Sequence, residues 1–226
     1  MTTPDTPRLP RVAARPMLSD DVYRTLRDAL VSARIAPGAR MNLDALAREL
    51  HVSNTPVRQA LARLVADGLV TQTPYRGFMA SPLLDSEQIR QLYEYRTMVE
   101  PNIAGMASVR RSDEQSAQLL EITDEATIDA AISEEASGLL GERDVAFHLA
   151  VASCIGNPIV GEHLGQVLAR MQSYTLYTHQ PSARLAWEEH RTIAEEISAG
   201  RATEAAEAMK AHLANGIGRI RAVIPH

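Results

Sequence analysis

Apolar residues recur at intervals of three and four along most of this chain, and the breaks in that rhythm divide it into elements. From Ser19 to Ala33, Val22, Leu26, Ala29, Leu30 and Ala33 share one helical face, with Ser19 or Asp20 as cap and Pro37-Gly38 closing the segment. Leu43, Leu46, Ala47 and Leu50 form a shorter stripe. After His51-Val52-Ser53 a third follows at Val57, Ala60, Leu61, Leu64 and Val65. Ser53 or Asn54 can cap this helix, Pro56 fits its first turn, and Gly68 ends it. Leu69-Val70-Thr71 and Phe78-Met79-Ala80, either side of Pro74-Tyr75-Arg76-Gly77, then predict a hairpin. Helix, turn, helix and a two-stranded wing is an order of elements that reads DNA, with the second helix offered to the major groove.

Beyond Ser81-Pro82 the strand pattern stops. Helices are expected over 86–109, 113–136, 142–155, 158–178, 182–199 and 202–222, each with the apolar stripe that a bundle requires. The expected fold is mainly α: an N-terminal winged helix-turn-helix over 18–80, a linker at 81–84, and an all-α six-helix bundle over 85–222. Residues 1–17, with four prolines and no helical period, read as a mobile arm whose Arg8, Arg11 and Arg15 are mostly solvated.

Charge sharpens the division. The formal net charge is −5, yet residues 1–80 hold eleven Arg against seven acidic residues, and 81–226 hold twelve basic against twenty-one acidic ones. The basic part is the DNA-reading part, and the acidic bundle, which phosphate repels, has another task. One cysteine, Cys154, excludes an intrachain disulfide. No apolar run resembles a signal h-region or a membrane span, so a cytoplasmic protein is expected.

The run VYRTLRDALVSARIAPGARMNLDALARELHVSNTPVRQALARLVADGLVTQTPYRGF resembles the DNA-binding domain of the GntR family of bacterial transcription regulators. The likeness rests on the PG after the first helix, the VS-x-x-P-VR-x-AL-x-RL core, the DGLV and the RGF wing. It implies that Ser53, Asn54, Thr55 and Arg58 meet base edges and phosphates at the start of the recognition helix. A guanidinium pairs bidentately with guanine or clamps a phosphate, which singles out Arg58. Arg48 and Arg63 are candidates for holding the DNA backbone, and Arg76 and Gly77 match the RG turn that approaches the minor groove. Some relatives carry an Arg near the start of the first motif helix where this chain has Asp44, so the base preference stays open.

The bundle carries its own candidate chemistry. Asp144 and His148 are four apart and share a helix face. His190 and His212 flank the turn at Ala199-Gly200-Arg201, so in an antiparallel hairpin they stand level, each about 15 Å from the turn. Three imidazoles and a carboxylate suit a divalent transition metal, zinc first, with nickel and manganese as alternatives.

DVAFH, then EH followed by IAEEI, then A-x-x-AM-x-x-H, resembles the FCD effector domain of the FadR-like branch, in its metal-binding, VanR-type form. That resemblance implies Asp144, His148, His190 and His212 as metal ligands, with a small carboxylate effector completing the coordination. Arg96, in YEYRTMVEP, is the candidate counter-charge for that acid or else the i,i+4 partner of Glu100. Asn157 matches a family position or caps a helix; Arg170, Tyr174, Tyr177 and Trp187 line the pocket or pack the core.

The expected function is a homodimeric DNA-binding repressor, not an enzyme, whose grip on a pseudo-palindromic operator is controlled by a small organic acid at the metal. Two alternatives stand beside it: a metal-dependent enzyme acting on a small organic acid with a DNA reader attached, and a purely structural metal with protein partners as input.

Overall fold

A computed structural model describes residues 17–32, 34–74, 76–125, 137–171 and 180–221. The arm with Arg8, Arg11 and Arg15 lies outside the described residues, as do Tyr174 and Tyr177.

Three helices and a small sheet open the chain: α1 (Met17–Val31), β1 (Arg40–Met41), α2 (Leu43–Glu49), α3 (Asn54–Ala66), β2 (Val70–Thr73) and β3 (Gly77–Ala80). Asn42 starts α2, its side chain accepting the Ala45 N–H at 2.9 Å. Ser53 stands at the N-cap of α3 without a side-chain bond to the helix. At the other end Gly68 takes φ +74°, a left-handed turn that glycine enters without steric cost. Val57, Ala60, Leu61 and Leu64 of α3 are buried with Val22, Leu26 and Leu30 of α1 in one cluster. Each such Leu or Val contributes about 1.5–3 kcal/mol by leaving water.

The sheet departs from the expected two-stranded wing. Its order is β1-β3-β2, antiparallel throughout, with Met41 opposite Phe78 and Val70 opposite Ala80. β1 is two residues long, too short to show an alternation in sequence. It joins because the chain leaving α1 runs back along β3, where the Ala80 N–H donates to the Ala39 carbonyl at 2.8 Å.

Six helices follow among the described residues: α4 (Ser86–Arg110), α5 (Asp113–Ile122), α6 (Ser137–Ser153), α7 (Pro158–Ala169), α8 (Gln180–Ser198) and α9 (Ala202–Arg221). Capping boxes start two of them, Asp85 with Gln88 at α4 and Ser112 with Gln115 at α5. α5 stops well short of the expected 136. Thr123 follows it with its hydroxyl donating back to the Leu119 carbonyl at 3.0 Å, and residues 126–136 lie outside the described residues. α7 likewise ends at Ala169, with Arg170 as its C-cap.

A second core cluster joins these helices through Ile89, Ile103, Phe147, Leu164, Ile193 and Leu213, among others. α9 lies close along α4 because Gly216 leaves room for Tyr93; a Cβ there would come within 2.9 Å of the Tyr93 hydroxyl. The α8–α9 turn is clasped by Arg111, which donates to the carbonyls of Ser108 and Ser198 at 2.6 Å each. α4, α6, α8 and α9 thereby face one another around a polar centre. Among the described residues, no helix is long and apolar enough to cross a membrane.

Candidate metal centre and nucleic-acid interface

Asp144 and His148 project from one face of α6, His190 from α8 and His212 from α9. The three rings are almost wholly enclosed, at 1%, 1% and 5% exposure. One ligand atom from each of the four residues fits within a set whose members are all within 4.8 Å of one another. The His190 and His212 Nε2 atoms are 3.2 Å apart, and the Asp144 Oδ1 lies 3.5 Å from His190 Nε2 and 4.0 Å from His148 Nε2. Four ligands around zinc at its usual bond lengths stand about 3.3 Å from one another. The cluster therefore needs only small adjustments to close on an ion.

Outer partners decide which ring nitrogens face inward. His212 Nδ1 is 2.8 Å from Glu189 Oε2, and Glu189 also accepts both terminal nitrogens of Arg219 and the Asn215 amide, each at 2.8 Å. Those donors hold the Glu189 carboxyl down at about 2, against burial, which raises it. An ionised carboxylate requires a proton on the facing Nδ1, which leaves a lone pair on Nε2.

His148 repeats the arrangement. Its Nδ1 is 2.5 Å from Glu100 Oε2, an ion-pair contact without the alignment of a hydrogen bond, and among the described residues neither atom has a hydrogen-bond partner; Glu100 Oε1 accepts from Arg96 Nε at 2.5 Å. Burial raises the Glu100 carboxyl, but Arg96 and His148 outweigh it and hold the group well below the usual carboxylate range.

His190 is fixed differently, its ring stacked on Phe147 at 4.2 Å and edge-on to Trp187 at 5.0 Å. Burial, with the neighbouring rings and arginines, pushes its basicity well below that of a free imidazole, and burial lowers His212 too, against the pull of Glu189. Three ring nitrogens grouped about one carboxylate make a set of ligand atoms that a cation can draw together.

The other candidates fall in different places. Arg96 is buried, bonded to Glu100 as the i,i+4 spacing allows, and also directed at the centre: its Nη2 lies 3.1 Å from His148 Nε2. Asn157 caps α7, accepting the Ile159 N–H at 3.1 Å. Arg170 lies at the seam with the first core, its Cγ and Cδ 3.4 Å from where a Cβ on Gly68 would sit. Trp187 is in the core against His190. Glu189 and Arg219 carry no signal in the sequence pattern that marks them as part of this centre. Glu189 adjoins His190 in sequence but serves His212, and only the register of the α8–α9 hairpin reveals that. Glu189→Gln is expected to weaken zinc binding by about 10- to 100-fold, as loss of an outer-shell carboxylate does, measured by competition with a chelating dye.

At the opposite end of the chain, Ser53, Asn54, Thr55 and Arg58 are exposed together at the start of α3, and Arg48, Arg76 and Gly77 are exposed nearby in sequence on α2 and the wing. Asn54 donates to Asp44 at 2.7 Å, tying the starts of α2 and α3. Arg63 is engaged internally, bonded to Asp20 at 2.5 Å and stacked over the Tyr23 ring at 4.1 Å. The helix N-terminus adds its partial positive charge to this face.

A winged helix-turn-helix joined to a helical bundle with an internal polar centre defines a class of DNA-binding regulator. The chain matches the model of bacterial regulatory proteins of the gntR family over residues 18–79 and that of the FCD domain over 91–215, and it belongs to this GntR family, with a C-terminal FCD domain. It is 31% identical over 207 residues to the HTH-type transcriptional regulator LutR of Bacillus subtilis, covering 81% of this chain and 92% of that one. The Nta operon transcriptional regulator of Aminobacter aminovorans is 29% identical, with 86% and 90% covered. The HTH-type transcriptional repressor GlaR of Escherichia coli is 25% identical, with 85% and 91% covered. Among solved structures, E. coli McbR/YncC shares the fold at a TM-score of 0.74 and 21% identity, covering 91% of this chain and 97% of that one. The protein is thus a transcriptional regulator that binds operator DNA, and the family is one of regulators, not enzymes.

Proposed function

We propose that the protein is a homodimeric, metal-dependent repressor acting in the cytoplasm, released from its operator by a small carboxylate. Residues 18–80 bind the DNA; residues 85–222 hold the metal, sense the acid and dimerise. The observation that carries this reading is the convergence of Asp144, His148, His190 and His212 inside the bundle of a chain whose first part reads DNA. Zinc suits the nitrogen-rich set best, with nickel and manganese able to take the same ligands. Asp144, His148, His190 and His212 would hold the ion, which would supply a positive charge for the effector's carboxylate, with Arg96 beside it. The similarity to a named repressor, GlaR, supports repression.

Dimerisation has a surface to use. Met98, Met106 and Val109 on α4 are 66%, 38% and 73% exposed and recur on one helix face, an apolar stripe suited to a second copy. Two recognition helices related by a two-fold axis would read an inverted repeat with half-sites about one helical turn, roughly 10 base pairs, apart. Selection from random duplexes with the full-length protein should return such a repeat. Recovery of single half-sites, or of no preferred sequence, would contradict the dimeric operator reading.

The effector acts only if it favours one arrangement of the bundle over another, because a ligand shifts an equilibrium by no more than its differential affinity. Arg170, packed on Gly68 just beyond α3, stands where a shift of α7 would reach the DNA-reading part.

A further inference from the structure

Resting on the metal-centre reading above, the geometry points to a monoanionic ligand, a small acid with one carboxylate, as the effector class, to the exclusion of dicarboxylates and tricarboxylates. The inference comes from the charges that line the centre and from which of them are already spent.

Among the described residues two guanidinium groups approach the cluster, and each is matched by a carboxylate of its own. Arg96 donates to Glu100 at 2.5 Å, with both side chains 3% exposed or less. Arg219 grips Glu189 with two nitrogens at 2.8 Å each. Each carboxylate also lies against a histidine Nδ1, at 2.5 Å for Glu100 with His148 and 2.8 Å for Glu189 with His212, so neither glutamate turns away to leave its arginine free for a ligand. The two Arg–Glu pairs are electrically neutral units, and their net effect on the centre is to orient His148 and His212.

What remains is Asp144. A divalent ion held by three neutral imidazoles and one carboxylate leaves the centre with a single net positive charge. Buried net charge is strongly disfavoured, so one negative ligand closes the balance and a second negative charge reopens it. Arg96 can still direct an N–H at the ligand, because its Nη2 reaches His148 Nε2 at 3.1 Å, but its charge is countered by Glu100. The stretches 126–136 and 172–179 contain no Lys or Arg, so they bring no further fixed positive charge to a second carboxylate.

The test uses full-length, tag-free, zinc-loaded protein and acids matched in backbone: acetate against malonate, lactate against malate, pyruvate against oxaloacetate, with citrate as the trianion. Calorimetric titration should show each monoanion binding at least about tenfold more tightly than its dianionic counterpart. Glu100→Gln and Glu189→Gln each release one arginine from its partner and raise the loaded centre by one positive charge. Each is expected to move the ratio toward the dianion by about tenfold or more. If Glu100→Gln fails to fold, shown by circular dichroism, Glu189→Gln decides, since its carboxylate is partly exposed at the rim of the bundle. Dianions that bind the wild type as tightly as monoanions would overturn the inference while leaving the metal site standing, as would an unchanged ratio in both folded variants. Failure of the wild type to retain zinc would overturn the metal-centre reading and this inference with it.

Discussion

His190→Ala is expected to abolish zinc binding at the proposed centre. The loss in zinc affinity should exceed the about 10- to 100-fold that removal of an outer-shell partner brings, because a ligand atom itself is gone. His190 is the ligand that the others surround: its Nε2 is 3.2 Å from that of His212 and 3.5 Å from the Asp144 carboxylate. Removing the ring also empties the space between Phe147 and Trp187, so the metal-free variant should melt below the metal-free wild type. The decisive comparison is each protein with and without zinc. Zinc at 100 times its dissociation constant adds about 2.7 kcal/mol to a protein that binds it, a shift of roughly 5–11 °C at this size, and should add nothing to the variant. An equal zinc-induced shift in both would place the metal elsewhere. The variant should still dimerise and bind DNA, since His190 lies in the bundle core, apart from the α1–α3 cluster.

Arg58→Ala should weaken operator binding by about 1–3 kcal/mol, roughly 5- to 150-fold at fixed salt, if its guanidinium reads a base. Arg58 is exposed in the first turns of α3, beside Ser53, Asn54 and Thr55, and makes no ion pair among the described residues. The salt dependence separates its two possible duties. A base contact relaxes the preference at one position of each half-site and leaves the salt slope alone, whereas a phosphate contact lowers affinity on every sequence and reduces the slope by about 1. Affinity equal to wild type would mean that another face of the domain meets the groove. Arg63→Ala provides the contrast: with its guanidinium held by Asp20 and Tyr23, its loss is expected to disturb α1–α3 packing more than DNA contact.

The helical elements were largely legible because their physics is local. Leu61 and Leu64 announce α3 by spacing, and Gly68 ends it by a backbone angle that glycine favours. β1 was not legible, since two residues have no period and Arg40–Met41 pair with a strand almost forty positions away. The over-long reading of α5 has the same root: an apolar rhythm continues past Ile122, but Thr123 turning its hydroxyl onto Leu119 is not visible in a pattern of hydrophobicity.

The metal cluster divides along the same line. Asp144 and His148 are coupled by helical spacing, and His190 and His212 by symmetry about the turn at Gly200, so their meeting could be anticipated. The Arg96–Glu100 pair was readable as an i,i+4 contact, although its hold on His148 was not. Glu189 with Arg219 spans 30 residues and two helices, a contact that depends on how α8 and α9 are rotated about their axes.

The central claim is that occupancy of the bundle controls the DNA-reading part, and operator affinity tests it most directly. Fluorescence anisotropy with the selected inverted repeat should be recorded for zinc-loaded wild type across a titration of a small monocarboxylate, beside chelator-stripped protein and His190→Ala. The expected result is a fall in affinity of about 5- to 150-fold for the zinc-loaded wild type alone. Operator affinity that stays the same with and without zinc, and at every concentration of the acids that bind, would contradict it.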